Sequence, residues 1–227
     1  MADLDKWADT SRARRATRLA DHRSPRRERI ILAAAQAIEE HGADAGTGQI
    51  AAIAGVARPH VYRHFSSRDE LMLEVARYAA GDLKASVRPS LRRSGTPLEL
   101  IRGLTDASVA WAAEHPGLYR FITERKQTRD LHRDRVGRSH FLGEIVDATD
   151  AYLGAAGLTS PPDGVVAGLM GMGDASIIWW LDHRDEPRDR LVDRLTRQVW
   201  LIFREMLRDI GVEDPEALTL GRPTTPP

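Results

Sequence analysis

The spacing of the apolar residues is the feature that most restricts the fold of this chain. Over nearly the whole sequence they recur every three or four residues, and no stretch shows the sustained alternation or the β-branched clusters typical of strands. The chain has 227 residues, of which 42% are hydrophobic, and this is enough to bury a core. We therefore predict an all-α protein of about nine helices.

Glycines and capping signals place the ends of these helices. A first helix over residues 25–40 has its apolar stripe at Ile30, Ile31, Ala34, Ala37 and Ile38 and ends at Gly42. Two short helices follow over residues 47–54 and 58–64, with Gly55 between them. Ser67–Glu70 and Thr96–Glu99 match capping boxes that start longer helices. Further helices are predicted over 117–126, 134–155, 162–183 and 187–210.

The two short helices and their glycine-containing turn match the helix-turn-helix pattern, in which the second helix enters the major groove of DNA. That second helix lies in the stretch VARPHVYRHF, residues 56–65. Val61 and Phe65 are four residues apart and so share the core face. The residues left outside include Arg58, His60, Tyr62 and Arg63. We predict Arg58, Pro59 and His60 near the bases, with Arg63 beside them, because arginine to guanine is the commonest specific contact.

The charge distribution also favours a nucleic-acid partner at this end of the chain. Net charge is zero overall, but residues 11–68 carry eleven arginines against five acids, a local excess of six. Much of this excess lies in an arm over residues 1–24. The arm either follows a minor groove or adds non-specific, salt-sensitive affinity. A solvated arm without a partner is the alternative explanation of the charge alone.

Residues 46–71, GTGQIAAIAGVARPHVYRHFSSRDEL, resemble the DNA-binding region of the TetR family of bacterial transcriptional regulators. The resemblance rests on Ile50-Ala51, Ala54-Gly55-Val56 and Tyr62-x-His64-Phe65, and is close over residues 30–75. Further along, HPGLYRF at residues 115–121 looks like the start of that family's sixth helix. The chain departs from the family pattern at Ala57, where a serine or threonine often caps the recognition helix.

The resemblance implies further DNA contacts around this helix. It puts the Tyr62 hydroxyl against a phosphate, with Thr47 and Gly48 in a similar role. At Arg68 the family often has a lysine that meets the DNA backbone, and the alternative is a pair with Asp69 or Glu70. His64 fits a packing and phosphate-side role rather than a metal ligand.

The same resemblance implies a domain plan. It has a basic arm (1–24), a three-helix helix-turn-helix domain (25–75), a helical ligand-binding and dimerisation domain (76–212) and a disordered tail (213–227). The last two long helices would pack against those of a second copy. A small, largely apolar effector would bind among the middle helices. The candidate effector-binding residues are Trp111, Tyr119, Phe121, Phe141, Met170, Asp174 and Trp179, for which ordinary core packing or a structural aspartate is the alternative.

Together these features predict a DNA-binding transcriptional regulator: a dimeric repressor of the bacterial cytoplasm, associated with the nucleoid, that releases a palindromic operator when its effector binds. No nucleophile elbow, HExxH motif, P-loop or cysteine is present in the sequence, so we expect no enzyme, cofactor or metal. The apolar stretch 165–181 carries Asp174, and we expect a buried helix rather than a membrane span. A helical adaptor for protein partners is the rival function.

Overall fold

A computed structural model describes residues 25–123 and 138–221, and for residues 138–140 it describes the backbone alone. Over these residues the chain forms nine α-helices and one 3₁₀ helix, Ser90–Arg92, which confirms the all-α prediction. The α-helices are α1 (Pro25–His41), α2 (Thr47–Ala54), α3 (Arg58–His64), α4 (Arg68–Val87), α5 (Pro97–Glu114), α6 (Pro116–Thr123), α7 (Arg138–Ala155), α8 (Asp163–His183) and α9 (Arg188–Asp209). They belong to two compact units, Met1–Ala85 with His115–Arg138 and Ser86–Glu114 with Ser139–Pro227. The first unit thus extends past the predicted domain boundary at residue 75 and takes in α6.

Helix α1 supplies much of the core of the first unit. Its buried residues are Ile30, Ile31, Leu32, Ala33, Ala34, Ala35, Ala37 and Ile38, so the predicted apolar stripe is confirmed. The helix ends where Gly42 takes a left-handed φ of 79° and donates its N–H to the Ile38 carbonyl at 2.8 Å. This is the glycine cap that the sequence predicted.

The turn between α2 and α3 follows from Gly55. Its φ of 66° is left-handed, and the N–H of Val56 returns to the Ala51 carbonyl at 3.0 Å. Helix α3 then starts after Ala57, whose side chain makes no capping hydrogen bond, while Pro59 lies in the first turn. The bounds of α2 and α3 are those predicted from sequence.

The start of α6 is docked onto α1 by one carboxylate. Glu39 accepts the N–H groups of Gly117 and Leu118 at 2.9 and 3.0 Å. The backbones approach so closely that a Cβ on Gly117 would lie 2.8 Å from both the Ile38 carbonyl oxygen and the Glu39 Cα. A glycine is therefore required at residue 117 for this contact.

We expect Gly117→Ala to lower the free energy of unfolding by about 1–3 kcal/mol, because neither backbone atom can move away without shifting α1. Gly81→Ala is the matched control, since Gly81 lies in an exposed turn of α4 with open space around it. Gly81→Ala should raise the free energy of unfolding by about 0.5–1 kcal/mol, because alanine favours a helix more than glycine does. Urea denaturation of both variants measures the difference, and equal effects would show that α6 does not dock as described.

In the second unit α9 packs along α5. Leu153, Trp200 and Leu207 form a core cluster of this unit. Two ion pairs cross from α5 to α9, Arg102–Asp193 at 2.6 Å and Arg188–Asp106 at 2.7 Å. Their side chains are a third or more exposed, so each adds little stability. The cohesion of this unit comes from its apolar contacts.

Helix α8 differs from expectation. By length and composition α8 could cross a membrane. The sequence predicted a buried helix instead, but only 22% of its most apolar 18 residues is buried within the chain. Its buried residues are Val166, Ile177, Trp180 and Leu181. One chain therefore leaves much of this apolar helix uncovered.

The two predicted capping boxes both lie at observed helix starts. In one of them the glutamate carboxylate bonds to a different residue from the one expected. Thr96 and Glu99 form a reciprocal capping box at α5, with distances of 2.8 and 3.3 Å. At α4 the N–H of Glu70 bonds to the Ser67 hydroxyl, but the Glu70 carboxylate turns to the hydroxyl and N–H of Ser66. These two donors hold the pKa of Glu70 below its usual value.

The chain beyond α9 is ordered where a frayed tail was predicted. Over residues 213–221 Pro215 and Leu220 are buried. The remaining residues of the predicted tail, 222–227, lie outside the described residues, as do the basic arm (1–24) and the segment 124–137.

Candidate DNA-binding surface and effector cavity

Helix α3 has one buried face and one exposed face. Val61 and Phe65 are each 1% exposed and hold the helix to the first unit. Their burial turns the remaining side chains outward: Arg58, Pro59, His60, Tyr62 and Arg63 are exposed, and His64 is half-buried. The structure thus gathers six of the nine predicted DNA-contact residues on α3.

The start of α2 lies beside the same surface. The Thr47 hydroxyl is 3.3 Å from the Tyr62 hydroxyl, and Gly48 is exposed in the first turn of α2. Thr47, and next the Arg58 side chain, lower the pKa of the Tyr62 phenol. Hydroxyl groups, a guanidinium and a helix N-terminus at one place form a surface suited to anionic oxygens.

Arg68, the ninth predicted contact, bonds to backbone carbonyls within the first unit. One nitrogen of its half-buried guanidinium donates to the carbonyls of Ala43 and Ala45, at 2.8 and 3.4 Å. These carbonyls offset the cost of a positive charge in the first turn of α4. These bonds are different from the pair with Asp69 or Glu70 that was the alternative. The phosphate contact of Arg68 stays a prediction.

Arg27 is a residue whose role sequence reasoning missed, because it was counted only as one of the arginines that make residues 11–68 basic. Its guanidinium lies 4.5 Å from the centre of the Phe65 ring. It also pairs with Glu70 at 3.1 Å and with Glu74 at 3.5 Å. Arg27 therefore ties α1 to α4 and covers the end of α3. Glu70 and Glu74 lie one helical turn apart, and this spacing could have indicated a shared basic partner.

The seven predicted effector-binding residues are divided between the two units. Tyr119 and Phe121 are buried in the first unit, whereas the other five belong to the second. Of those five, Trp111 and Phe141 are buried, Met170 and Asp174 are half-buried on α8, and Trp179 is 55% exposed. Trp179 stacks on His183 at 3.7 Å and donates to Asp185 at 2.9 Å. Their part in effector binding stays a prediction.

The second unit contains an apolar cavity of ≈ 90 Å³ in another place. Helices α5, α7 and α9, the 3₁₀ helix and Leu220 surround it, and its aliphatic and aromatic walls include Leu91, Leu100, Ile101, Leu104, Ile145 and Phe203. None of the seven predicted residues lines it. Such walls look like ordinary core in a sequence, so no local signal marks them.

The polar side chains in the cavity wall are already satisfied by backbone carbonyls. Ser90 donates to Gly103 at 3.0 Å, Thr149 donates to Ile145 at 2.8 Å, and the Tyr152 hydroxyl donates to Arg93. A polar ligand group placed here would lose its water without gaining these partners. The cavity is therefore suited to an apolar group.

Comparison with known proteins agrees with this architecture. Residues 30–75 match the family model for bacterial regulatory proteins of the tetR family. The transcriptional activator FasR from Mycolicibacterium smegmatis is 30% identical over 187 residues, which cover 78% of this chain and 80% of FasR. The chain therefore belongs to the TetR family of bacterial transcriptional regulators, as its sequence predicted.

Two solved structures share the fold. The fatty acid degradation regulator FadR from Bacillus halodurans superposes with a TM-score of 0.65 at 19% identity, over 79% of this chain and 96% of its own. FadR from Bacillus subtilis in complex with stearoyl-CoA gives 0.62 at 14% identity, over 76% and 96%. At these identities the likeness establishes the fold alone.

Proposed function

We propose that this regulator binds a roughly palindromic operator as a homodimer, with one α3 helix in each of two successive major grooves, and that an apolar effector releases it. The two faces of α3 carry this proposal. Buried Val61 and Phe65 fix the helix in place, while two exposed arginines and a histidine point outward. This arrangement presents hydrogen-bond donors to base edges from a rigid support.

Different residues would take different parts of the DNA. Arg58, Pro59 and His60 open α3 and are placed for the bases, with Arg63 beside them. The phosphates would be contacted by Tyr62, Thr47, Gly48 and His64. Contacts to phosphates position the protein on DNA but carry no sequence preference. Arg68 we assign to the turn between α1 and α2, because its guanidinium already bonds to carbonyls in that turn.

The uncovered apolar surface of α8 and α9 supports a dimer. Trp179 on α8 and Leu201 and Ile202 on α9 are 46–55% exposed. Pairing these helices with those of a second copy would bury this surface in a four-helix bundle. The two-fold symmetry of such a dimer requires a palindromic site. Since its proposed target is bacterial DNA, the dimer would act in the cytoplasm, at the nucleoid.

The apolar cavity is the proposed effector site. An effector that binds one spacing of the two α3 helices more tightly shifts operator affinity by its own differential affinity. Release on effector binding would derepress a gene whose promoter the operator overlaps. FasR is named an activator, so a transcription assay with and without bound protein decides the sign for this chain.

Tyr62→Phe tests the DNA-contact proposal. Loss of one hydroxyl-to-phosphate bond should weaken binding about tenfold on every DNA sequence, with base preference unchanged. Fluorescence anisotropy on operator and scrambled DNA measures both affinities. Equal affinity of wild type and variant would remove Tyr62 from the interface, and absence of DNA retention at low salt would favour the protein-adaptor function.

A further inference from the structure

The segment after α9, residues 213–221, returns to the second unit and covers the cavity; we call it the C-terminal strap. Leu218 packs against the core of Leu153, Trp200 and Leu207. Leu220 is 3% exposed, and its backbone exchanges two hydrogen bonds with Gly95, at 2.9 and 3.1 Å. This single bridge is an isolated one, outside any sheet.

The Leu220 side chain is part of the cavity wall. With it in place the cavity measures ≈ 90 Å³. An engineered cavity of about 150 Å³ lined by similar residues holds one benzene molecule, and ordinary ligand pockets are about 300–1,000 Å³. The cavity is therefore too small for any effector of ordinary size, and part of its wall must move before one can bind.

The other walls are much more firmly held than the strap. They consist mainly of α5, α7 and α9. Helices α5 and α9 pack along each other, and α7 is anchored by Leu153, which is fully buried. On the Gly95 side, the capping box of Thr96 and Glu99 fixes the start of α5, and Tyr152 donates to the Arg93 carbonyl. The strap has no helix of its own and is held by the Gly95 bridge, by the side chains of Pro215, Leu218 and Leu220, and by an Arg204–Glu216 pair at 3.4 Å. Segments with few buried contacts open at the lowest free energy.

We infer that the C-terminal strap is a built-in competitor of the effector: Leu220 occupies part of the effector site, and the effector binds by displacing it. This inference rests on the proposed function, because it takes the cavity as the effector site. The strap lowers the apparent affinity in proportion to the fraction of molecules in which it is open.

The test uses the full chain and N-phenyl-1-naphthylamine, an uncharged, apolar fluorescent probe too large for the cavity as it stands. Hydrogen exchange is measured by mass spectrometry on peptides containing Gly95 and Leu220, with and without saturating probe. We expect both peptides to lose protection when the probe binds, while peptides of α5 and α9 keep theirs. Unchanged protection at Leu220 with the probe bound would overturn the inference.

Three variants connect this opening to affinity. Leu220→Ala removes the competing side chain and should bind the probe roughly tenfold more tightly, since the cost of exposing a buried leucine is removed. Ile210→Ala is the matched control, because Ile210 packs against the same core but lies neither on the strap nor in the cavity wall. Ala148→Leu fills the cavity from α7 and should abolish the component of binding that Leu220→Ala strengthens.

The outcomes separate the strap from the effector site itself. If Ala148→Leu abolishes probe binding but Leu220→Ala and Ile210→Ala bind alike, the cavity is a ligand site and the strap is only structural. If Ala148→Leu has no effect on binding, the probe binds elsewhere, and the effector-site proposal fails together with the inference. A tenfold gain confined to Leu220→Ala, with loss in Ala148→Leu, supports both.

Discussion

Replacing Phe65 by alanine should lower the free energy of unfolding of the DNA-binding unit by about 3–5 kcal/mol. Its ring is 1% exposed and follows directly on α3, and the Arg27 guanidinium covers one side of it. Truncation leaves a cavity and also removes the cation–π contact. Because a domain is stable by only about 5–15 kcal/mol, a loss of this size unfolds much of the population on warming.

Urea denaturation followed by circular dichroism measures the effect of Phe65→Ala. Arg63→Ala is the control, since Arg63 lies on the opposite, exposed face of α3 and its loss should change stability by less than about 0.5 kcal/mol. DNA binding should weaken in both variants, but for different reasons: loss of folded protein in one and a missing contact in the other. A Phe65→Ala protein with wild-type stability would contradict the assignment of the α3 core face.

Replacing Ile202 by arginine should convert the dimer to a monomer and weaken operator binding by at least about 100-fold. Ile202 is 46% exposed on α9, so a single chain tolerates arginine there. In the proposed four-helix bundle the charge would be buried without a partner, which is strongly unfavourable. Loss of the second half-site contact then removes the gain from bivalent binding.

Sedimentation equilibrium gives the mass of the Ile202→Arg protein, and anisotropy gives its operator affinity. Leu98→Arg is the matched control, because Leu98 is similarly exposed, at 40%, but lies at the start of α5. That protein should remain a dimer with wild-type affinity. If Leu98→Arg breaks the dimer and Ile202→Arg does not, the α8–α9 interface is assigned to the wrong surface.

The helix-turn-helix could be predicted from sequence because its signals are local. Gly42 and Gly55 end helices by adopting left-handed φ angles, and Pro59 fits a first turn. The four-residue spacing of Val61 and Phe65 identified the core face of α3. Each of these inferences needs only neighbours within one or two turns, so no knowledge of tertiary contacts was required.

The features that sequence reasoning did not find depend on contacts between residues distant in the sequence. Arg68 finds its partners in the carbonyls of the α1–α2 turn, which no pattern of side chains could indicate. The cavity is lined by ordinary apolar residues, whereas the prediction followed aromatic residues, several of which are plain core. The strap was predicted as part of a frayed tail because of Pro215 and the three prolines that follow the strap in the sequence, and its bridge to Gly95 is invisible to local patterns.

The claim that α3 reads DNA is tested most directly by selecting genomic fragments with the wild-type protein and with Arg58→Ala. We expect the wild type to select a palindrome with half-sites about one helical turn apart. Arg58→Ala should select the same palindrome with base preference lost at one position in each half, at a cost of about 1–3 kcal/mol for that base. Identical preferences from the two proteins, or no shared site from either, would contradict the account.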